Sequence, residues 1–344
     1  MKLGIIGLPQ SGKSTVFEAL TKNISDTAHK AEDRIGTIRV PDSRIDVLSK
    51  MYEPGKTIYA QVEYFLPGTA RSKKDQAADQ SIWLATRDCD ALIQVIKNHT
   101  AAGLDEKSPQ ADFRHIEQEL ILADLVVVEK RLERIEHDHT RGKKMDPEEH
   151  ALLLSCRENL ENEIPLRRIE DLAGAHKLRG FAFLSAKPLL VLFNNDDDDD
   201  RLPPVSDLIE SENCLVIRGK LEQELSQMSA ADAAEFLNEF SISESATDRV
   251  IRKSYELLGL ISFFTVGQDE VRAWTINKDT PAVEAAGVIH SDMQKGFIRA
   301  EVLAYDDLMD AGTHAAARKK GTVRLEGKTY EVKDGDLINF RFNV

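Results

Sequence analysis

Gly7-Leu-Pro-Gln-Ser-Gly-Lys-Ser14 begins six residues after the initiating methionine and reads as a complete phosphate-binding loop. Before it, Lys2-Leu-Gly-Ile-Ile6 is expected to form a short buried strand. After it, Thr15-Val-Phe-Glu-Ala-Leu20 is expected to form the first turns of a helix. Strand, glycine-rich turn and helix N-terminus, in that order, are the context such a loop needs. Gly7 and Gly12 let the backbone fold around an anion with its N–H groups pointing inward, and the helix N-terminus adds a favourable partial charge. On this reading Pro9, Gln10, Ser11, Gly12, Lys13, Ser14 and Thr15 form the phosphate end of a nucleotide site. Lys13 would reach the β- and γ-phosphates, and Ser14 would hold Mg2+.

Outward from the loop, residues 1 to about 125 alternate short apolar runs with helical stretches. Ile35–Val40, Ile58–Phe65 and Ala91–Ile96 read as strands, and the alternation predicts an α/β fold with a largely parallel sheet. From Ile116 to about Leu172 strand patterning stops. Ile116, Leu120, Ala123, Val127, Val128 and Ile135 follow helical spacing, and Arg141-Gly-Lys-Lys-Met-Asp-Pro147 is a polar turn. Leu152, Leu153, Cys156, Leu160 and Ile164 continue as a second helix that Pro165 interrupts. Two charged helices joined by a short turn make a helical hairpin, expected to project from the sheet. Strand character returns at Lys187–Phe193 and Cys214–Ile217, so the hairpin reads as an insertion into the α/β domain. Five consecutive aspartates, Asp196–Asp200, follow the first of these strands. Such a run is ordinarily a solvated loop, but here it starts at the ligand-facing edge of a parallel sheet.

From Leu258 the pattern becomes a small mixed β/α unit. Its expected strands are Ile261–Thr265, Val271–Ile276, Val323–Leu325, Tyr330–Val332 and Ile338–Val344, with a helix over 281–289.

The chain has 344 residues and a formal net charge of −14, which argues against indiscriminate nucleic-acid binding. The last 87 residues carry 11 Lys/Arg and 13 Asp/Glu, so the acidity sits mostly in the earlier parts. Cys89, Cys156 and Cys214 lack metal-ligand spacing and read as free buried thiols in a reducing cytoplasm. No apolar run is long enough for a membrane span, and a strand followed at once by the loop leaves no room for a signal peptide.

These pieces together resemble the YchF subfamily of Obg-related P-loop NTPases. The resemblance is carried by Gly7–Thr21, Val40-Pro-Asp42, Glu119–Leu125, Lys187-Pro188, Val271–Ile276, Ala285–His290, Lys295–Val302, Tyr305-Asp-Asp307, Asp334-Gly-Asp336 and Phe340–Val344. It implies a G domain in two parts (residues 1–120 and 179–257), an inserted helical hairpin (121–178) and a small β-grasp-like TGS domain (258–344). It also implies ATP or GTP and Mg2+ as ligands, tolerance of ATP over GTP, and work with a ribosome or RNA. Hairpin and TGS domain are the implied protein contacts.

The departures are specific. Relatives carry Asp-x-x-Gly after the third strand; here the stretch is Phe65-Leu-Pro-Gly68, without the carboxylate. The threonine that closes on Mg2+ falls at Lys30, and the following glycine-rich stretch has become Ala70–Asp75. Lys30, Arg71, Lys73 or Lys74 would be the substitutes for the missing charge. His99 reads as a surface histidine. For the base, Asn194 and Asp197 occupy the first and fourth positions of the guanine-reading pattern Asn-Lys-x-Asp, but Asn195 replaces the lysine, and Arg218-Gly219 replaces the usual Ser-Ala. This set is compatible with either purine. Three readings follow: a nucleotide-binding switch with weak or absent hydrolysis, a competent NTPase using unfamiliar residues, or a scaffold that nucleotide merely stabilises. Arg318-Lys-Lys320, Arg324, Lys328 and Arg341 are candidates for a basic face toward RNA.

Overall fold

The computed structural model describes residues 1–22, 32–68, 82–100, 107–239 and 244–343. Lys30 and the Ala70–Asp75 stretch, with Arg71, Lys73 and Lys74, lie outside the described residues. The chain forms two compact units, Met1–Thr37 with Glu63–Val250, and Ile38–Val62 with Ile251–Val344.

The first unit is built on a six-stranded sheet ordered β2-β4-β1-β5-β6-β7. The strands are β1 (Lys2–Ile6), β2 (Arg34–Arg39), β4 (Gln61–Leu66), β5 (Ala91–Asn98), β6 (Leu189–Asn195) and β7 (Asn213–Ile217). β1 runs parallel to both β4 and β5, and β5–β6 and β6–β7 are parallel too. β6 is buried at every position, and β5 at all but Lys97. That explains their near-continuous apolar sequences, since a parallel strand covered on both faces has no polar side. Ile6, Ile96, Leu189, Val191 and Phe193 pack with Phe65 in the core beneath the loop.

Helix α1 (Lys13–Thr21) follows the loop. The insertion consists of α3 (Pro109–Thr140) and α4 (Pro147–Glu161). Pro109 and Pro147 stand at first-turn positions, where a missing N–H has no consequence. Asp146 caps α4 by accepting from the Glu148 and Glu149 amides. Ile121, Val128, Leu132 and Ile135 of α3 meet Leu153, Cys156 and Leu160 of α4 in their own apolar cluster. α3 begins seven residues before Ile116 because apolar spacing does not register a proline-led first turn. α4 ends at Glu161, four residues short of Pro165.

The hairpin is anchored at its base by Asp124, which is fully buried and accepts from the Leu184 and Ser185 amides and from Arg87. Burial is the largest influence on the Asp124 carboxyl and raises its pKa, against the pull of these donors.

The second unit holds a sheet ordered β11-β10-β12-β8-β9-β3. β8 (Leu260–Val266) and β9 (Glu270–Asn277) form an antiparallel pair. β10 (Phe297–Ala304) lies antiparallel to β11 (Arg324–Glu326) and to β12 (Asp336–Phe342), and β12 is parallel to β8. Helix α5 (Ala282–Ile289) packs Ala282, Ala285 and Ala286 against Phe263, Phe297, Phe340 and Val302. A hairpin, a crossing helix and a central parallel pair give the β-grasp form. Tyr330–Val332, expected as a strand, makes an isolated bridge at Glu331 with Pro281 instead.

The sixth strand of this sheet comes from far upstream. β3 (Lys56–Ile58) pairs in parallel with β9, Lys56 opposite Glu270 and Ile58 opposite Arg272. Ile58–Phe65, one apolar run in sequence, is therefore divided between β3 and β4, in two different sheets. Helix α2 (Ser43–Tyr52) precedes β3 in the same unit. Its Arg44 grips Asp42 and Asp334 at once, at 2.8 and 2.7 Å, with its guanidinium over the Phe264 ring. Val40-Pro-Asp42 and Asp334-Gly-Asp336, almost three hundred residues apart, thus meet on one arginine.

Of the cysteines, Cys89 and Cys156 are free and buried, whereas Cys214 is only half-buried. Burial pushes the Cys89 thiol up to about 11 and the Cys156 thiol up to about 12. Among the described residues no helix is long and apolar enough to cross a membrane.

Candidate functional site

The loop between β1 and α1 has the strained backbone its glycines foretell. Gly7 has φ +148°, and a Cβ there would lie 2.4 Å from the Val95 carbonyl oxygen. Gly12 has φ +93°, and its Cβ would lie 2.1 Å from the Asn194 amide nitrogen. Only glycine satisfies both demands. Gln10 is also left-handed, at φ +66°, an uncommon conformation for a side-chain-bearing residue. The backbone thus bends into a cradle ending at the N-terminus of α1, where Gly12 supplies no side-chain cap. Uncapped N–H groups at such an end attract an anion.

Lys13 is folded back over the loop, its Nζ donating to the Gly7 carbonyl at 2.8 Å and the Leu8 carbonyl at 2.6 Å. Burial pushes the Lys13 ammonium down to about 8. Ser11 is 1% exposed, and its Oγ is buried without a hydrogen-bond partner.

Asn194, at the C-terminal end of β6, ties the loop to the rest of the site. Its amide nitrogen donates to the Ser11 carbonyl at 3.1 Å, and its amide oxygen accepts from the Gly219 N–H at 3.0 Å. A Cβ on Gly219 would stand 2.7 Å from that oxygen, so glycine permits the close approach. Asn195 points elsewhere: it donates to the Arg201 carbonyl and accepts from Asn98. Asp196 accepts from Thr100 and from Lys107, the latter at 2.8 Å. Burial opposes its ionisation, but these donors outweigh that and hold the Asp196 carboxyl below the usual range. Asp197 accepts from the Leu221 N–H through Oδ1 at 3.2 Å, while among the described residues no partner engages Oδ2.

All of these surround one cavity of about 760 Å3, lined by Pro9, Gln10, Gly12–Thr15, His99, Thr100, Asn194–Asp197, Lys220 and Gln223. Every residue expected at the site lies on its wall except Ser11, which stands buried behind the loop. Lys220, Gln223 and Thr100 carry no mark in the sequence as ligand groups, Asp196 is the first of the aspartates whose leading members the sequence keeps for a nucleotide role, and His99 reads there as a surface residue. Burial, the larger influence, lowers the His99 pKa against the pull of Asp196. The one signal that could have found Lys220 and Gln223 is their place in the first turn or so after β7, at the ligand-facing edge.

Phe65 shows what the lost carboxylate has become. It is 3% exposed and packed in the core, and Lys2 sits over its ring at 4.2 Å. Among the described residues no three His, Cys, Asp or Glu side chains gather as a metal would require. Mg2+ keeps most of its water when bound with nucleotide, so one hydroxyl beside a phosphate cradle is a compatible, minimal donor set.

Known proteins share this architecture. A family model described as 50S ribosome-binding GTPase matches residues 2–130. A second, YchF-GTPase_C, described as a protein of unknown function (DUF933), matches residues 260–343. Ribosome-binding ATPase YchF of Escherichia coli O157:H7 is 34% identical over 361 aligned residues, covering 100% of this chain and 99% of that one. The solved structure of the Schizosaccharomyces pombe YchF GTPase superposes with a TM-score of 0.85 at 27% identity, over 99% of this chain and 97% of the other. Ribosome-binding ATPase YchF of Bacillus subtilis (strain 168) is 36% identical over 364 aligned residues, 99% of each chain. Likeness of this extent, over both compact units and end to end, makes the chain a member of the YchF family.

Proposed function

We infer that the chain binds a purine nucleoside triphosphate in the cavity around Lys13 and uses it as a switch in work with the ribosome. The observation that carries this is the continuity of the cavity from the Gly7–Thr15 cradle, through the Asn194 bridge, to the open carboxylate oxygen of Asp197. In this reading the phosphates lie on the loop amides and draw the Lys13 ammonium away from its two carbonyls. Ser14 would hold Mg2+, together with the phosphates and water. Asn194 keeps loop and base pocket in register. The ribosome enters through the relatives, whose names describe ribosome-binding ATPases. A cytoplasmic location accords with that partner.

Binding is supported further than turnover. Phosphoryl transfer needs the metal placed and a water ordered. The position where relatives carry the aspartate is occupied by Phe65, whose ring is buried away from the cavity. The proposal is therefore tight binding with slow hydrolysis.

Calorimetry with ATP and GTP, each with Mg2+ and with EDTA, tests it. The expected result is binding of at least one nucleotide that weakens about tenfold or less without Mg2+, because backbone amides and Lys13 dominate. Failure of both nucleotides to bind would overturn the reading, and binding abolished by EDTA would overturn its metal-light form. Co-sedimentation with ribosomes, with and without nucleotide, tests the partner.

A further inference from the structure

Glu18 stands one turn along α1 from Ser14 and Thr15, and it is only 7% exposed. Two residues from other elements hold its carboxylate. Arg34, at the start of β2, donates to Oε1 at 3.0 Å and lays its guanidinium over the Phe17 ring at 4.9 Å. Gln223, in the helix Gly219–Gln227, donates from its side-chain amide to Oε2 at 2.5 Å. A buried ion pair of this kind adds little to stability over apolar side chains that would fill the same space. What it supplies here is orientation.

A carboxylate paired with arginine only accepts hydrogen bonds, so Gln223 must turn its NH2 group toward Glu18. Its carbonyl oxygen Oε1 is left over, and no donor engages that oxygen among the described residues. Gln223 also lines the cavity around Lys13. Its place along that cavity indicates what it meets. On one side it is fastened to α1, one turn past the cradle for the phosphates. On the other, Leu221 of its own helix donates its N–H to Asp197 at the base end. In a nucleotide, the part between phosphates and base is the sugar, whose free hydroxyls are hydrogen-bond donors.

We propose that Gln223 is a specificity-determining residue that accepts a hydrogen bond from a ribose hydroxyl of the bound nucleotide, with Glu18 and Arg34 as positioning residues that keep its acceptor available to the cavity. The proposal deepens the nucleotide reading above and rests on it. It makes the site select ribonucleotides over deoxyribonucleotides, because an analogue without the hydroxyl leaves the fixed acceptor unpaired.

The test is calorimetry on the full chain with ATP, GTP and the 2′-deoxy and 3′-deoxy forms of each. The wild type should bind the ribonucleotide about five- to tenfold more tightly than one of the two deoxy forms. Gln223→Met keeps the length of the side chain and removes the amide. It should weaken the ribonucleotide by about that factor and leave the discriminated deoxy form as it was, so that the preference disappears. Glu18→Gln can donate as well as accept, so Gln223 is no longer held in one orientation. The preference should then fall to about twofold, again through the ribonucleotide alone. A merely structural role for Glu18 would weaken ribo and deoxy forms alike and would remove it as a positioning residue. Equal affinity of the wild type for the ribo form and both deoxy forms would overturn the proposal while the nucleotide reading stands. Equal losses for all forms in Gln223→Met would do the same, as would losses that follow the base and ignore the sugar. Failure of every nucleotide to bind the wild type would overturn the nucleotide reading itself, and this proposal with it.

Discussion

The two ends of the proposed nucleotide cavity are built on different principles. The phosphate end is mostly main chain: two glycines held at positive φ, an uncapped helix N-terminus, and one lysine whose charge is parked on loop carbonyls. The base end is side chains, and most of them are already engaged. Asn194 holds the loop, Asn195 holds the following turn, and Asp196 holds Thr100 and Lys107. Of the two carboxylates, only Asp197 retains an oxygen unengaged among the described residues. A surface made of backbone changes little when surrounding residues drift, whereas one made of side chains can be rewritten one residue at a time. The chain keeps the loop itself at the first end, with Phe65 standing where relatives carry the metal-directed aspartate, and departs from the base-reading pattern at the second.

Removing the charge at the backbone-built end should have the largest effect. Lys13→Ala should reduce nucleotide affinity about a hundredfold, from loss of charge-assisted hydrogen bonds worth roughly 3 kcal/mol. Calorimetry with either purine checks it, and a loss below about fivefold would mean that the loop amides suffice without the lysine.

Asn194→Ala attacks the bridge between the ends. It strands the Ser11 carbonyl and the Gly219 N–H in a buried place, at a cost of about 2–3 kcal/mol of stability. The urea midpoint should fall with the m-value unchanged. A midpoint within error of wild type would show the two ends to be independent.

At the base end, Asp197→Asn exchanges an acceptor oxygen for a donor. Guanine presents donors there and adenine does not, so GTP affinity should drop about tenfold while ATP affinity moves little. Equal changes for both purines would remove Asp197 from base reading altogether.

The smallest effect is a pH dependence. Free Lys13 titrates near 8, and a bound phosphate would raise that value. Binding then takes up a proton above pH 8, so affinity should decline as pH rises through that value, by about threefold per half unit, and stay level below it. Titrations in buffers of different ionisation enthalpy at pH 8.5 would reveal the proton. Affinity rising with pH would contradict the burial of this lysine.

Legibility in the sequence followed the same division. The loop could be read because its requirements are local: glycines at fixed spacing between a strand and a helix. Asn194 and Asp197 could be placed only through the resemblance, as the first and fourth positions of the guanine-reading pattern. The Asp196–Lys107 pair could not, because the partners are almost ninety residues apart and nothing periodic links them. The hairpin was visible through its apolar stripe, and the C-terminal sheet through its alternation. What escaped was membership. Ile58–Phe65 has the composition of a single strand, and no pattern within it marks the residues where it leaves one sheet for another. The grouping of the C-terminal arginines escaped for a related reason. Arg318 and Arg341 meet at Glu301 while Arg324 turns away, and a strand's alternation, once the register is known, decides which.

The placement of Ile38–Val62 in the second unit also sets a timetable for synthesis. This segment leaves the ribosome early, carrying helix α2 and strand β3, but the strands they pack and pair with begin only at Leu260. At ordinary translation speeds of about 5–20 residues per second, roughly 200 residues of waiting correspond to about 10–40 s. Throughout that interval Ile45 and Leu48, fully buried in the finished protein, have no finished core to enter. The nascent chain is thus required to keep an early apolar helix out of trouble until its last hundred residues arrive, and a fragment ending at Val250 would never complete the unit to which that helix belongs.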